Sequence, residues 1–327
     1  MNPASKQIDP ELESILKDNP FGNPGLLATW KRELSRLRVG ERGPRDLDFE
    51  FVLKDDAEFL CEAQSRKRRR SGKTVCTNVL PQPITGHPNA PVWLLLLNPG
   101  FCAKDFYDHI NVSSKMRQCI VKTGEGRYSD LSFDKPGPGE AAKLEKRQKL
   151  ILSNLRADKC PAPFYLLDES FKTGAERSGD GFRWWSRNLG LESGNGFFRQ
   201  DADGHSLDIV GRCLFVLEAF PYHSLTFPVG MVKKWSKRQT AYFKFWKRLV
   251  EYGFAHREVV IRAQGKNRGA LGKLLEFAGL NPSGENIHFC RNVRNVSFSS
   301  GNIESPERIR KAIHNVLDHL GKTKAGL

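Results

Sequence analysis

The chain has 327 residues, 39% hydrophobic and 27% charged, which suits a sizeable buried core in one large domain with extensions. Lys and Arg outnumber Asp and Glu by 52 to 37, a formal excess of +15. That surplus points to a polyanionic partner, most simply nucleic acid, although it also serves solubility. The start, MNPASKQIDPELE, lacks the basic and apolar parts of a secretory signal. No apolar run approaches the roughly 20 residues of a membrane span. A cytoplasmic protein without a membrane partner is expected. The seven cysteines (Cys61, Cys76, Cys102, Cys119, Cys160, Cys213, Cys290) are scattered and form no C-x-x-C. Zinc or iron–sulfur binding is therefore poorly supported, and buried reduced thiols are expected, with no metal and no cofactor.

Residues 1–90 show no sustained alternation of strands and helices and read as an N-terminal extension. Within them PGLLATWKRELSRL (24–37) predicts a helix with Pro24 near its start. The run RKRRR (66–70) is either a solvated loop or an anchor for phosphates. From Pro91 to residue 321 the pattern changes to one α/β domain, leaving 322–327 as a tail. VWLLLL (92–97), RCLFVLEAF (212–220), EVVIRA (258–263) and NIHFC (286–290) read as buried strands, and FYLLD (164–168) as a candidate further one. Helical periodicity marks 141–157, 237–252, 268–279 and 306–320. Continuous apolar strands separated by helices predict an α/β fold: a short, mainly parallel four-stranded sheet in a three-layer α/β/α sandwich.

In such sheets ligands bind beyond the carboxyl ends of the strands. Attention therefore falls on NPGF (98–101), EAFPYHS (218–224), QGKNRG (264–269) and RNVRNVSFSSGN (291–302). The segment TGEGRYSDLSFDKPGPGE (123–140) reads as a long loop, a class that is often functional or disordered.

Two of these segments, in order, resemble the uracil-DNA glycosylase superfamily, and within it the mismatch-specific uracil and thymine branch. LLLLNPGF is similar to that branch's first motif, an apolar strand running into Asn-Pro-Gly. RNVSFSS (294–300) is similar to its second motif, with Val296 where the family usually has Pro. EVVIRAQGKN resembles the third strand and its glycine loop, so the resemblance spans about 91–320. It implies an enzyme that flips a nucleotide out of duplex DNA and hydrolyses its N-glycosidic bond, acting as a monomer.

On this resemblance Asn98 holds the attacking water through its side-chain carbonyl, since a cationic sugar needs a positioned nucleophile more than a strong base. A turn-forming Asn before Pro is the alternative. Asn295 stands where other branches place a histidine that donates to the leaving base; a loop Asn bonding its own backbone is the alternative. Gly100 stands where strict uracil enzymes carry a tyrosine that blocks pyrimidine C5, so the resemblance implies room for a 5-substituted base; a glycine that only permits the turn is the alternative, compatible with it. Glu218 stands where an Asn reads the uracil edge. A carboxylate accepts from the N4 amino group of cytosine, but would repel cytosine N3 unless one partner is protonated. A buried Glu paired with an Arg is the alternative.

Phe101, Phe106 and Tyr107 are candidates to stack on the flipped base. Lys266, Arg268, Arg294 and Ser297 would grip backbone phosphates, and Phe298 or a neighbour would wedge into the stack. The aromatic residues of the helix from 237 are expected in the core; His223 in FPYHS is a candidate acid or base, with a structural His as the more common reading of a lone one. The favoured substrate is a bulky 5-substituted cytosine, such as 5-hydroxymethylcytosine or its glucosylated form in phage DNA. That would give the protein a role in antiviral defence. The alternatives are a uracil or thymine mismatch repair glycosylase and a non-catalytic DNA-binding protein of the same fold. A nucleotide-binding α/β enzyme ranks last, for want of G-x-G-x-x-G or a Walker pattern.

Overall fold

The computed structural model describes residues 8–38, 51–65, 75–76, 80–97, 99, 138–156, 164–168, 181–189, 198, 207–224, 229–263, 269–292 and 298–325. At its centre is a mixed sheet of five strands, mostly parallel, in an α/β fold. In space the order is β2 (Ile84–Gly86), β4 (Leu214–Glu218), β3 (Val92–Leu96), β6 (Glu258–Ile261) and β7 (Ile287–Phe289). The four expected strands are the parallel ones. The fifth, β2, pairs antiparallel with β4 and was invisible in QPITGHP because three residues between prolines and a glycine carry no period. Two further short strands, β1 (Val75–Cys76) and β5 (His223–Ser224), pair separately as an antiparallel ribbon.

Strands β3 and β4 are buried at every position, which is why they read as unbroken apolar runs. The register sets Trp93 beside Phe215 and Val259, and Leu96 beside Glu218. Alternate residues face opposite sides of the sheet. On the Trp93 side, its ring packs against Phe215 and against Tyr252 of the helix Ala241–His256. On the other pleat Glu258 accepts from Arg308 of the helix Pro306–Ala325 and is 2.8 Å from His288 Nε2.

The expected helix at 237–252 is two helices, Val229–Arg238 and Ala241–His256. Gln239 has φ +50° and Thr240 caps the second helix by accepting from the Phe243 amide, so Lys237 and Arg238 close the first. Tyr242, Phe243, Phe245 and Trp246 are buried, as expected for the core side of an amphipathic helix. FYLLD forms a 3-10 turn at Tyr165–Leu167 instead of a strand, with the Leu167 and Asp168 amides bonded back to Phe164 and Tyr165. Leu12, Ile15, Leu16, Phe21, Trp30, Phe51 and Phe59 of the N-terminal region belong to the same hydrophobic cluster as the sheet.

Gly86 ties the edge strand to β4. Its φ is +90°, and a Cβ there would lie 2.1 Å from the Leu214 carbonyl oxygen. Gly86→Ala combines backbone strain with a backbone collision. It is expected to destabilise the fold by at least about 2 kcal/mol, read as a lower denaturant midpoint at unchanged m-value.

Candidate active site at the carboxyl edge of the sheet

The chain leaves β3 toward β4 on one side, returns across the sheet to β6, and continues to β7 on the other side. The connections after β3 and β6 therefore diverge at the carboxyl ends of these neighbours, the kind of switch point at which α/β sheets bind ligands. The first motif follows β3 directly: Leu97 and buried Pro99 are described at this edge. Asn98, Gly100, Phe101, Phe106, Tyr107, Lys266, Arg268, Arg294, Asn295 and Ser297 lie outside the described residues, as does RKRRR.

Glu218 is the last residue of β4 and only 6% exposed. Its Oε2 has no hydrogen-bond partner. Burial is the largest influence on this carboxyl and raises its pKa from the usual 4.5 to about 8, with the positive charge of Arg262 opposing. At neutral pH the group is mostly a neutral acid. The strand end carrying it is fixed on all sides. The Glu218 amide donates to the Pro83 carbonyl (3.0 Å) and the Ala219 amide to Leu96 (2.9 Å). The Phe220 amide donates to Leu97 (2.8 Å). The buried Tyr242 hydroxyl donates to the Glu218 carbonyl, and Trp235 Nε1 donates to the Ala219 carbonyl at 3.2 Å.

Arg262 does not stand out in the sequence, where it reads as part of the strand EVVIRA (258–263); β6 ends at Ile261, so Arg262 is the first residue past it. Leu95 pairs with Ile261, and Ile261 with Phe289. One residue further, Arg262 comes level with Leu96 and Glu218, and Cys290 level with Arg262. Arg262 is half-buried, and its amide donates to the Leu95 carbonyl at 3.1 Å. Burial lowers its pKa, with Glu218 and Cys290 opposing. Burial also raises the Cys290 thiol to about 11, against the pull of Arg262.

The second-motif segment is closed at its root. The Arg291 amide donates to the Asn302 carbonyl (2.7 Å) and the Asn292 amide to Asn302 Oδ1 (2.8 Å). Asn292, the near neighbour of Asn295, thus has its main chain committed to this closure. Phe298 does not stand out as a wedge. It is 3% exposed within the core, and its amide donates to the Asn188 carbonyl at 2.6 Å. An aromatic flanked by serines gave no sequence signal of that burial. His223 is buried in the short β1–β5 ribbon.

A second buried carboxyl braces the segment after β4. Asp56, fully buried, accepts from the Tyr222 hydroxyl at 2.6 Å, and Tyr222 accepts from the Leu53 amide at 3.1 Å. Burial raises the Asp56 pKa from 3.8 to about 6. Hydrogen bonds from Tyr222 and Thr240 pull it partly back, and neighbouring Asp55 adds to the rise. Among the described residues no group of three or more His, Cys, Asp or Glu could hold a metal ion. Among the same residues no helix is long and apolar enough to cross a membrane.

A carboxyl with a raised native pKa binds its proton more tightly folded than unfolded. The stabilisation this gives is complete below pH 3.8 and is lost as pH rises to about 6. The expected loss from Asp56 over that window is roughly 3 kcal/mol, and Asp56→Asn should flatten this part of the stability–pH curve in urea titrations. Compared with family models, curated proteins and solved structures, the chain matches none.

Proposed function

We propose that the protein is a monofunctional DNA glycosylase of the uracil-DNA glycosylase type, acting on a 5-substituted cytosine in duplex DNA. The observation that carries this reading is the convergence at one sheet edge. The first motif follows the central strand β3, Glu218 ends β4, the glycine loop follows β6, and the root of the second motif follows β7. An unpartnered carboxyl oxygen lies buried at that edge. A base pocket needs such a polar group on a rigid element to read a base edge after flipping.

In this reading Asn98 holds the water, Asn295 donates to the leaving base, and Gly100 leaves room for the 5-substituent. Lys266, Arg268, Arg294 and Ser297 bind phosphates, and the net charge of +15 suits the polyanion. The three-layer form is part of the proposal. It is supported by Trp93 meeting the helix 241–256 from one pleat while Glu258 meets Arg308 from the other. Repair of uracil or thymine mismatches is the alternative within the same chemistry.

The test incubates the protein with duplexes carrying uracil, a thymine mismatch, 5-hydroxymethylcytosine or its glucosylated form, then cleaves abasic sites with alkali. Strand breaks in the modified-cytosine duplexes are expected, and Asn98→Ala should slow them by roughly a hundredfold. Breaks only at uracil would overturn the cytosine assignment. Tight binding without breaks in any duplex would replace the enzyme with a DNA-binding protein.

A further inference from the structure

An amide at the end of β4 would read a base edge and do no more. A carboxyl at the same place can also give up a proton. Glu218 is only 6% exposed, its Oε2 has no hydrogen-bond partner, and its strand is separated from the one that leads into Arg262 by β3 alone. We infer that Glu218 is the general acid of this site, delivering its proton to N3 of a cytosine-type base as the glycosidic bond breaks. The inference rests on the glycosylase reading above.

Cytosine and uracil differ at the atom concerned. Cytosine N3 carries an in-plane lone pair and its C4 carries an amino group, whereas uracil N3 carries a hydrogen. A neutral carboxyl has one O–H donor and one carbonyl acceptor. It can donate to cytosine N3 while accepting from N4–H, which removes the clash an ionised carboxylate would have with N3.

The C1′–N1 bond breaks and its electron pair goes to the base, where charge spreads over N1, O2 and N3. The Glu218 O–H proton moves to N3, so the base departs neutral as its N3–H tautomer and Glu218 is left as a carboxylate. Water oxygen bonds to C1′, its proton passes to solvent, and solvent returns a proton to Glu218. The sum is hydrolysis, with no oxidant, reductant or co-reactant.

The surroundings suit both halves of the cycle. Burial keeps the carboxyl protonated up to about pH 8, and Arg262 stabilises the carboxylate once the proton has gone. Those are the properties of an acid poised to act near neutral pH. Among the described residues, the other ionisable groups acting at this point include Tyr242, whose hydroxyl holds the Glu218 carbonyl, Cys290, which acts on Arg262, and Glu304, which acts on Cys290. Asp56 acts on Tyr242 from the N-terminal region. Burial holds the tyrosine and the thiol well above the range in which Glu218 titrates.

The experiment measures single-turnover base release between pH 6 and 10. It uses duplexes with one 5-hydroxymethylcytosine or, at the same position, one 5-hydroxymethyluracil. Release of the cytosine-type base by the unmodified protein should be level at low pH and fall about tenfold per unit above about pH 8. Release of the uracil-type base, whose N3 cannot take the proton, should lack that fall and so controls for other titrations. Glu218→Gln keeps a donor and an acceptor but no labile proton. It should bind both duplexes, slow cytosine-type release by about a hundredfold or more and abolish its pH dependence. Cytosine-type release that is flat with pH, or that survives Glu218→Gln, overturns the assignment. Release of the uracil-type base alone also overturns it while leaving a glycosylase; release of neither overturns both readings. The unmodified protein's own pH profile decides the matter should the variant fail to fold.

Discussion

A carboxyl group buried without a partner on one oxygen, at the end of an inner strand, is the constraint around which this structure is arranged. Leaving a buried polar group unsatisfied costs on the order of 1–3 kcal/mol, and the chain could relieve it by letting the strand end peel toward water. The main chain around Glu218 prevents that. Its amide, its carbonyl and the next two amides are all engaged, by Pro83, Tyr242, Leu96 and Leu97. With the backbone committed, the side chain stays in a dry place and keeps its proton.

The N-terminal region supplies much of the restraint. Phe21 packs its ring against Tyr222 and Tyr242, at centroid separations of 6.3 and 5.3 Å. Phe59 packs against Phe220 and Trp235, at 6.3 and 5.1 Å. Aromatic contacts of this kind add stiffness as well as buried area. Tyr242 and Trp235 are the two side chains that bond the carbonyls of Glu218 and Ala219. Residues that read as an extension thus back the groups holding the strand end, and Asp56 adds a hydrogen bond to Tyr222 from the same side.

How much was legible in the sequence follows from the length of the signals. The four parallel strands announced themselves because each is buried on both pleats and bounded by helical periodicity; β2 and the β1–β5 ribbon span two or three residues and have no period to read. The break at Gln239–Thr240 hid inside a continuous amphipathic pattern because the cap is one threonine and the turn one positive φ. At the site, the rule that function lies just past each apolar run selects Glu218 but passes over Arg262, because the run reads through EVVIRA to residue 263 whereas β6 ends at Ile261. Tyr222 falls inside EAFPYHS without its bracing role being legible, and Tyr242 and Asp56 fall outside every segment the rule selects. Their roles depend on partners between 24 and 169 residues away, and pairing at that range leaves no local trace. Phe298, read from its motif, is buried in the core, which its flanking serines do not announce.

The choice of a carboxyl where an amide would serve for reading gains its meaning from Arg262. An arginine bonded to both oxygens would keep Glu218 ionised and make the pair a structural strut, the alternative open from the sequence. With no cation near, burial alone would hold the acid protonated so firmly that losing the proton would be costly. Here burial is the larger influence and Arg262 the smaller, opposing one, while Oε2 is left without a partner. The same two influences act on Arg262 in reverse, its own charge weakened by burial and supported by Glu218 and Cys290. A pair balanced in this way can exist as neutral acid beside cation or as carboxylate beside cation. A group that must hold a proton in one step and release it in the next needs both states within reach, and a fixed ion pair offers only one.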